Sequence, residues 1–381
     1  MKIDHHPMCR ILPALATLLF LSACAGGGSS GNTAAPAVQQ AIPEPVITLT
    51  AAQNGAVIVA INSATQASTV YYTTDASTPT QNSMLYSTPF LVSTAQTVNA
   101  IATTPGMTSS AIASTSISTT VPSGTLIWSD EFANSTGLNA SPDSRYWEFD
   151  SMAGGFKTVN NELEVYCGWA SSVSPCTANP NAYVGATDGF LHIVAQQPGA
   201  GIYTSARINT AGRLSMTYAR VEAMMKLPEG QGFWPAFWLL GNNIGQAGWP
   251  ACGEMDVMEH INAPVPDWIA GTLHMTGASG AAGPTSHYST VTGSFLASDW
   301  HVYGMIWKKG LVQYYVDTPS NVYATFTPGS LPAGAVWPFD SAQGRFLILN
   351  LAVGGSWPGA PDSSTVFPAE MLVDYVRVYT N

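Results

Sequence analysis

Charge is what this sequence has least of. Twelve Lys and Arg stand against 23 Asp and Glu in 381 residues, charged residues make up 9% of the chain, and the formal net charge is −11. An average soluble domain carries about 25% charged residues. So little positive charge excludes nucleic acid or an anionic polymer as the main partner, because both demand a basic surface. A neutral partner fits better. The longest apolar run, "ILPALATLLFLSA", is shorter than the roughly 20 residues a spanning helix requires. No HExxH or paired CxxC ligand set occurs, which argues against a catalytic transition metal and for chemistry without a cofactor.

What is present first is a leader. His5, His6 and Arg10 precede the apolar run, which ends in Leu21-Ser22-Ala23-Cys24 and passes into "AGGGSSGN". This pattern resembles a bacterial lipobox followed by a tether. It implies a lipoprotein-type signal peptide over 1–23, lipidation of Cys24, and a flexible linker over 24–44. Ala25 after the cysteine points to an outer-membrane lipoprotein of the bacterial envelope; an ordinary signal peptide would instead give a secreted protein. Membrane contact is then through the N-terminal lipid only. In an oxidising compartment Cys167 and Cys176 are expected to close the short loop "CGWASSVSPC", leaving Cys252 as a buried small hydrophobe.

Beyond the linker the chain is all-β in pattern. Residues 45–120 run through short segments such as "AVIVAINS" and "QTVNAIATT", each bounded by turn residues, and predict a small β-sandwich. Its "YYTTDASTPTQNSMLYSTPFLV" resembles the immunoglobulin-like module at the C-terminal end of some chitobiases and hexosaminidases, which implies an accessory or spacer role. From 125 to 381 the runs "FLHIVAQ", "YARVEAMMKL", "FWPAFWLLG" and "RFLILNLAVGG" again alternate without a sustained helical period. They predict a two-sheet sandwich or jelly roll.

The chemistry concentrates in "CGEMDVMEH". On a plain strand Glu254 and Asp256 share a face that Glu259 does not. One inserted residue, a β-bulge, puts all three on one face. Two carboxylates flanking a cleft can hydrolyse a glycosidic bond, one as nucleophile and one as acid and then base. We assign Glu254 as nucleophile, Glu259 as acid/base, and Asp256 as the partner whose charge and hydrogen bond separate their roles; sequence order alone leaves that direction open. Trp234 and Trp238 in "GQGFWPAFWLLG", and Trp249 in "GWPACGE", offer ring faces on which sugars stack.

With "FWPAFWLLG", "WPACGE", "GTLH", "NLAVGGSWPG" and "VDYVRVY" added, residues 125–381 resemble a bacterial laminarinase of glycoside hydrolase family 16. The resemblance implies a concanavalin-like β-jelly roll and retaining, endo-acting hydrolysis of β-1,3-glucan by a monomer. It supports the same three acids. It also implies that Asn161 in "NNELEVY", Arg207 in "YTSARI" and His274 in "GTLHMTG" line the cleft. A structural Ca2+ would be held by backbone oxygens of Glu131 and Gly189 with the Asp374 carboxylate. The segment "FDSMAGGFKTVNNELEVY" lacks the Trp-containing glycine loop expected before "NNEL", which puts the outermost donor-side subsites in doubt. Relatives that cut agarose or mixed-linkage glucan share the bulged motif, a non-catalytic glucan-binding protein shares the scaffold, and transglycosylation uses the same intermediate.

Overall fold

The computed structural model describes residues 40–134, 136–150, 160–177, 179–261, 268–277, 299–331 and 333–381, and the backbone of 282–289. The leader, Cys24, most of the linker, and most of the glycine-rich segment before "NNEL" lie outside the described residues. Within them the chain is almost wholly strand, as the short alternating runs predict. Val46–Ala51, Val57–Asn62 and Phe90–Val92 form one small sheet; Met84–Leu85, Thr69–Thr73, Gln96–Thr103 and Ala113–Ile117 form its partner. Val59, Tyr72, Val98 and Ala100 fill the space between.

One expected boundary is corrected. The linker does not extend to residue 44: Ala41 bridges Thr108, and Ile42 is buried in the small core. Burying an isoleucine beside the first strand gains more than the lost chain freedom costs. Module and sandwich are joined, since Gln40–Asn381 is a single compact unit. Leu91 N–H donates to Ser215 O at 2.9 Å and Ser215 N–H to Pro89 O at 2.8 Å. Ser87 Oγ donates to Asn242 O at 3.0 Å, and Asn54 Nδ2 to Leu126 O at 2.8 Å. Leu91 and Val121 are buried in the core of the larger domain.

That larger domain is the jelly-roll sandwich. One sheet has ten strands, with the long Ala369–Thr380 strand at its middle. The other has seven: β1 (Glu148–Phe149), β2 (Arg207–Asn209), β3 (Phe233–Gly241), β4 (Glu254–Glu259), β5 (Ile269–Thr276), β6 (Ala282–Ser289) and β7 (Arg345–Val353). Their order is β6-β5-β4-β3-β7-β2-β1. Alternation decides which side of β3 faces the core: Phe233, Phe237 and Leu239 are fully buried between the sheets, whereas Trp234 and Trp238 stand on the outer face. Trp307, Tyr303 and Tyr314 complete the core from the ten-stranded sheet, and Trp307 Nε1 donates to Phe339 O at 2.9 Å.

Because backbone hydrogen bonds and shared core join module to sandwich, residues 40–381 are expected to unfold in one calorimetric transition. Leu91→Asp, which buries an unpaired charge at the junction, is expected to lower its Tm by roughly 5 °C or more. Two well-separated transitions in the unaltered protein would contradict this.

Candidate active site

The bulge is present, and it lies at Val257. Asp256 pairs with Trp238 of β3 and Met258 with Phe237, so Val257 has no opposite number. On the other side Asp256 faces Thr272 and Glu259 faces Ala270, again with one residue extra. Glu254, Asp256 and Glu259 therefore share the outer face with Trp234 and Trp238, while Met255, Val257 and Met258 enter the core.

All three carboxyls are drawn out of water, and specific donors meet the two glutamates. Trp249 Nε1 donates to Glu254 Oε2 at 3.2 Å, and Trp234 Nε1 to Glu259 Oε1 at 3.0 Å. Thr272 Oγ1 donates to Glu259 Oε2 at 3.4 Å. His274 Nε2 lies 3.1 Å from Asp256 Oδ2 and 3.5 Å from Glu254 Oε1. Burial and the Asp256 charge push Glu254 and Glu259 each up to about 8, with His274 pulling the other way. Asp256, 3% exposed, is pushed well above the carboxylate range by burial. The three titrate as one coupled group. Glu254, Asp256 and His274 present donor atoms within 4.8 Å of one another, a set that is also able to hold a metal ion.

Aromatic rings extend the face on both sides of the acids. Trp249 is 51% exposed on the turn leading into β4, 5.8 Å from the His274 ring. Trp234 packs edge-on against Trp357 at 5.3 Å, and Trp357 lies 5.8 Å from Trp268. Trp238 Nε1 donates to Asn350 Oδ1 at 2.7 Å, and Asn350 Nδ2 donates to Tyr166 OH at 3.2 Å. Arg207, across from Asn350 on β7, pairs with Asp150 and lies 5.8 Å from the Trp238 ring and 5.7 Å from Tyr166. Asn161 sits in a left-handed turn at φ 61° and donates to Ser356 Oγ at 2.8 Å. All six expected cleft residues thus fall on or beside the acid-bearing face. Sequence reading missed Asn350, Tyr166, Asp150, Thr272, Trp268 and Trp357. Trp357 and Asn350 in "NLAVGGSWPG", Thr272 in "GTLH" and Tyr166 in "NNELEVY" lay within the motifs already singled out, which is the local signal each had.

The remaining expected residues lie elsewhere. Cys167 and Cys176 are disulfide-bonded, and Cys252 is buried, its thiol pushed up to about 11 by burial. Glu131 and Asp374 are close enough for the Glu131 charge to raise Asp374, while the Glu131 carboxylate is taken by Arg377. No turn hydrogen bond uses the carbonyl of Glu131 or Gly189 among the described residues.

Comparison with known proteins agrees with this arrangement. Residues 172–376 match the model of glycosyl hydrolases family 16, and residues 50–114 match that of the chitobiase/beta-hexosaminidase C-terminal domain. Over 267 residues the chain is 38% identical to a beta-glucanase of Rhodothermus marinus, covering 68% of this chain and 86% of the relative. Over 275 residues it is 35% identical to glucan endo-1,3-beta-glucosidase A1 of Niallia circulans, covering 67% of this chain and 37% of the relative. The solved catalytic domain of an endo-1,3-beta-glucanase (laminarinase) from Thermotoga petrophila RKU-1 superposes with a TM-score of 0.56 at 37% identity, over 68% of this chain and 98% of that one.

The raised carboxyls carry a stability consequence. Between the ordinary glutamate value of 4.5 and about 8, the folded protein holds protons on Glu254 and Glu259 that the unfolded chain has released. Stability therefore falls as pH rises through that window. Glu254→Gln and Glu259→Gln remove part of the dependence, so each variant is expected to melt near the parent at pH 4.5 and several degrees above it at pH 8. Parallel Tm curves for parent and variants would contradict this.

Proposed function

Since the chain belongs to glycosyl hydrolases family 16, and is therefore a glycoside hydrolase, we propose that it cuts internal β-1,3-glucosidic bonds of laminarin-like glucans with retention of configuration. The observation that carries this reading is the bulge at Val257, which gathers Glu254, Asp256 and Glu259 on one face between the Trp234 and Trp249 rings. The names of the relatives above support β-glucan as the substrate class.

In the proposed reaction a glucosyl unit lies over the triplet, with Trp234 and Trp249 against its apolar faces. The Glu254 carboxylate attacks the anomeric carbon while Glu259 gives its proton to the departing glycosidic oxygen. Glu259, now ionised, takes a proton from water, which attacks the same carbon and frees Glu254. Retention follows from two inversions. The triplet must enter the cycle with one glutamate charged and the other protonated. Burial, with the Asp256 charge added to it, raises both glutamates and so favours such a mixed state over full ionisation. His274 Nε2 lies beside both Asp256 and Glu254, on the nucleophile's side. Glu259 lies toward Trp234 and Thr272.

Products and azide rescue test the assignment. The unaltered protein is expected to release short β-1,3-linked oligosaccharides from laminarin. Glu254→Ala and Glu259→Ala are each expected to lose at least about 10³ in kcat. With an activated β-glucoside, azide should give the α-glycosyl azide with Glu254→Ala and the β-glycosyl azide with Glu259→Ala. The reverse pairing would exchange the two roles, and an unaltered protein inactive on laminarin would sink the specificity.

We further propose that the Glu131 and Gly189 carbonyls and the Asp374 carboxylate hold a structural Ca2+, remote from the chemistry. Millimolar Ca2+ is expected to raise Tm by several degrees in the parent and not in Asp374→Ala, with kcat on short substrates alike in both. A Tm unmoved by Ca2+ or EGTA would reject the site.

A further inference from the structure

The ten-stranded sheet carries a second feature on the face turned away from the core. A groove of about 600 Å3 lies over the strands Ala182–Val184 and Leu191–Gly199 and the start of Ala369–Thr380, lined by Asn139, Tyr183, Gln196, Gln197 and Glu370 among others. Register fixes the direction of these side chains. Ala182, Val184, Leu191, Ile193 and Ala195 enter the main core, so Tyr183, His192 and Gln196 point outward. Tyr183 pairs directly with His192 across the strands. Their rings are parallel, 4.6 Å apart at 9°.

His192 is held on both sides. Its Nδ1 lies 2.9 Å from Glu370 Oε2 and its Nε2 3.1 Å from Asp188 Oδ2. The two carboxylates fix the imidazole, and the tyrosine ring lies flat upon it. His192 is 8% exposed beneath this cover, whereas Tyr183 also lines the groove. Tyr183 is thus stacked on a fixed imidazole before any ligand arrives.

The rim completes the chemistry. Asn139 Oδ1 accepts from Ala186 N–H at 3.0 Å, which orients its NH2 group. Gln196 Nε2 donates to the Asn179 and Pro180 carbonyls, both at 3.4 Å, which turns its own carbonyl the other way. Gln197 adds another amide. No Lys or Arg lines the groove, and its one carboxylate, Glu370, is engaged by His192. An anion finds no counter-charge there. A flat apolar floor ringed by amides suits a ligand with apolar C–H faces and equatorial hydroxyls.

We propose that this groove is a second, non-catalytic binding site for a neutral glucan chain, with Tyr183 as the stacking floor and Asn139 and Gln196 as hydroxyl partners. It rests on the β-glucan reading of the acid-bearing face for the identity of the sugar. Because the groove and the acids occupy outer faces of opposite sheets, a polymer held in one leaves the other free. A second attachment raises the effective concentration of chain at the cleft. The gain appears on long or insoluble glucan and vanishes on substrates too short to need it.

The test compares Tyr183→Ala with its parent in the full mature chain. Co-sedimentation with insoluble β-1,3-glucan is measured in a Glu254→Ser background, and hydrolysis of short β-1,3-gluco-oligosaccharides in the active background. The expected result is binding about tenfold weaker for Tyr183→Ala, unchanged kcat/KM on the short substrates, and near-parental binding for Tyr183→Phe, which keeps the floor. Equal sedimentation of Tyr183→Ala and parent, with hydrolysis intact, overturns this site and leaves the catalytic reading standing. If the active parent neither sediments with the glucan nor cuts the oligosaccharides, the β-glucan reading itself fails, and this proposal with it.

Discussion

One extra residue in β4 sets the rest of the site. Without Val257 out of register, Glu259 would point between the sheets, where Met255 and Met258 now pack, and burying a lone carboxylate there costs several kcal/mol. The insertion also breaks a stretch of ladder, and the facing sheet repairs it. Tyr323 OH donates to Val257 O at 3.3 Å, and Tyr314 OH donates to Thr272 O at 2.8 Å. Gly271 on β5 is what lets these two rings approach: a Cβ there would lie 2.5 Å from Tyr314 Cδ2 and from the Tyr323 hydroxyl oxygen. Val257 and Met258 meanwhile bury almost completely, so the irregular strand keeps its apolar gain.

The turn before β4 is fixed just as firmly, by a cation inside the protein. Arg345, 1% exposed, lies 4.7 Å from the Trp307 ring and 5.1 Å from Phe339, and it donates to Pro338 O at 3.1 Å and Gln343 O at 3.3 Å. Burial pulls its guanidinium down to about 10, still charged at neutral pH. Against it lies Gly253, at φ 76°, where a Cβ would stand 2.8 Å from Arg345 Nη2. Any other residue would both strain the backbone and displace the guanidinium. Gly253 N–H donates to Pro250 O and Cys252 N–H to Gly248 O, each about 3 Å, so the turn that brings Trp249 to Glu254 is bonded at both ends. Truncating Arg345 would remove an ordering contact from the acid-bearing strand, as well as packing.

The acid face was legible because its signal is local. A spacing of two and then three among carboxylates flanked by apolar residues has few structural solutions, and the bulge is one of them. The aromatic neighbours lie within a few residues of the same strand or the one before it, and the disulfide spans a single short loop. The parts that escaped are non-local. Asn350 and Tyr166 read as strand residues in "LILNLAV" and "ELEVY", and only the pairing of β7 with β3 and β2 joins them to Trp238 and Arg207. Nothing adjacent to Arg345 in sequence announces the Trp307 ring that receives it. The end of the linker was misjudged because a lone Ile42 in a Pro- and Ala-rich stretch gives no periodicity.

Docking of the N-terminal module converges on the same corner. Phe90 bridges Ser215, the next residue Met216 bridges Arg345, and Arg345 abuts Gly253, which leads into Glu254. Gln343 reaches back to Leu85 O at 3.4 Å. Such a chain of contacts transmits a signal only if the corner has two arrangements whose balance the module shifts. Here one arrangement is over-determined: backbone bonds from Pro89 to Leu91, a caged guanidinium, and a glycine with no room for a side chain. The module's contribution to the acid-bearing face is therefore to its rigidity. Carboxyls that must be held in a fixed geometry relative to one another draw more from a corner that does not move than from one that switches.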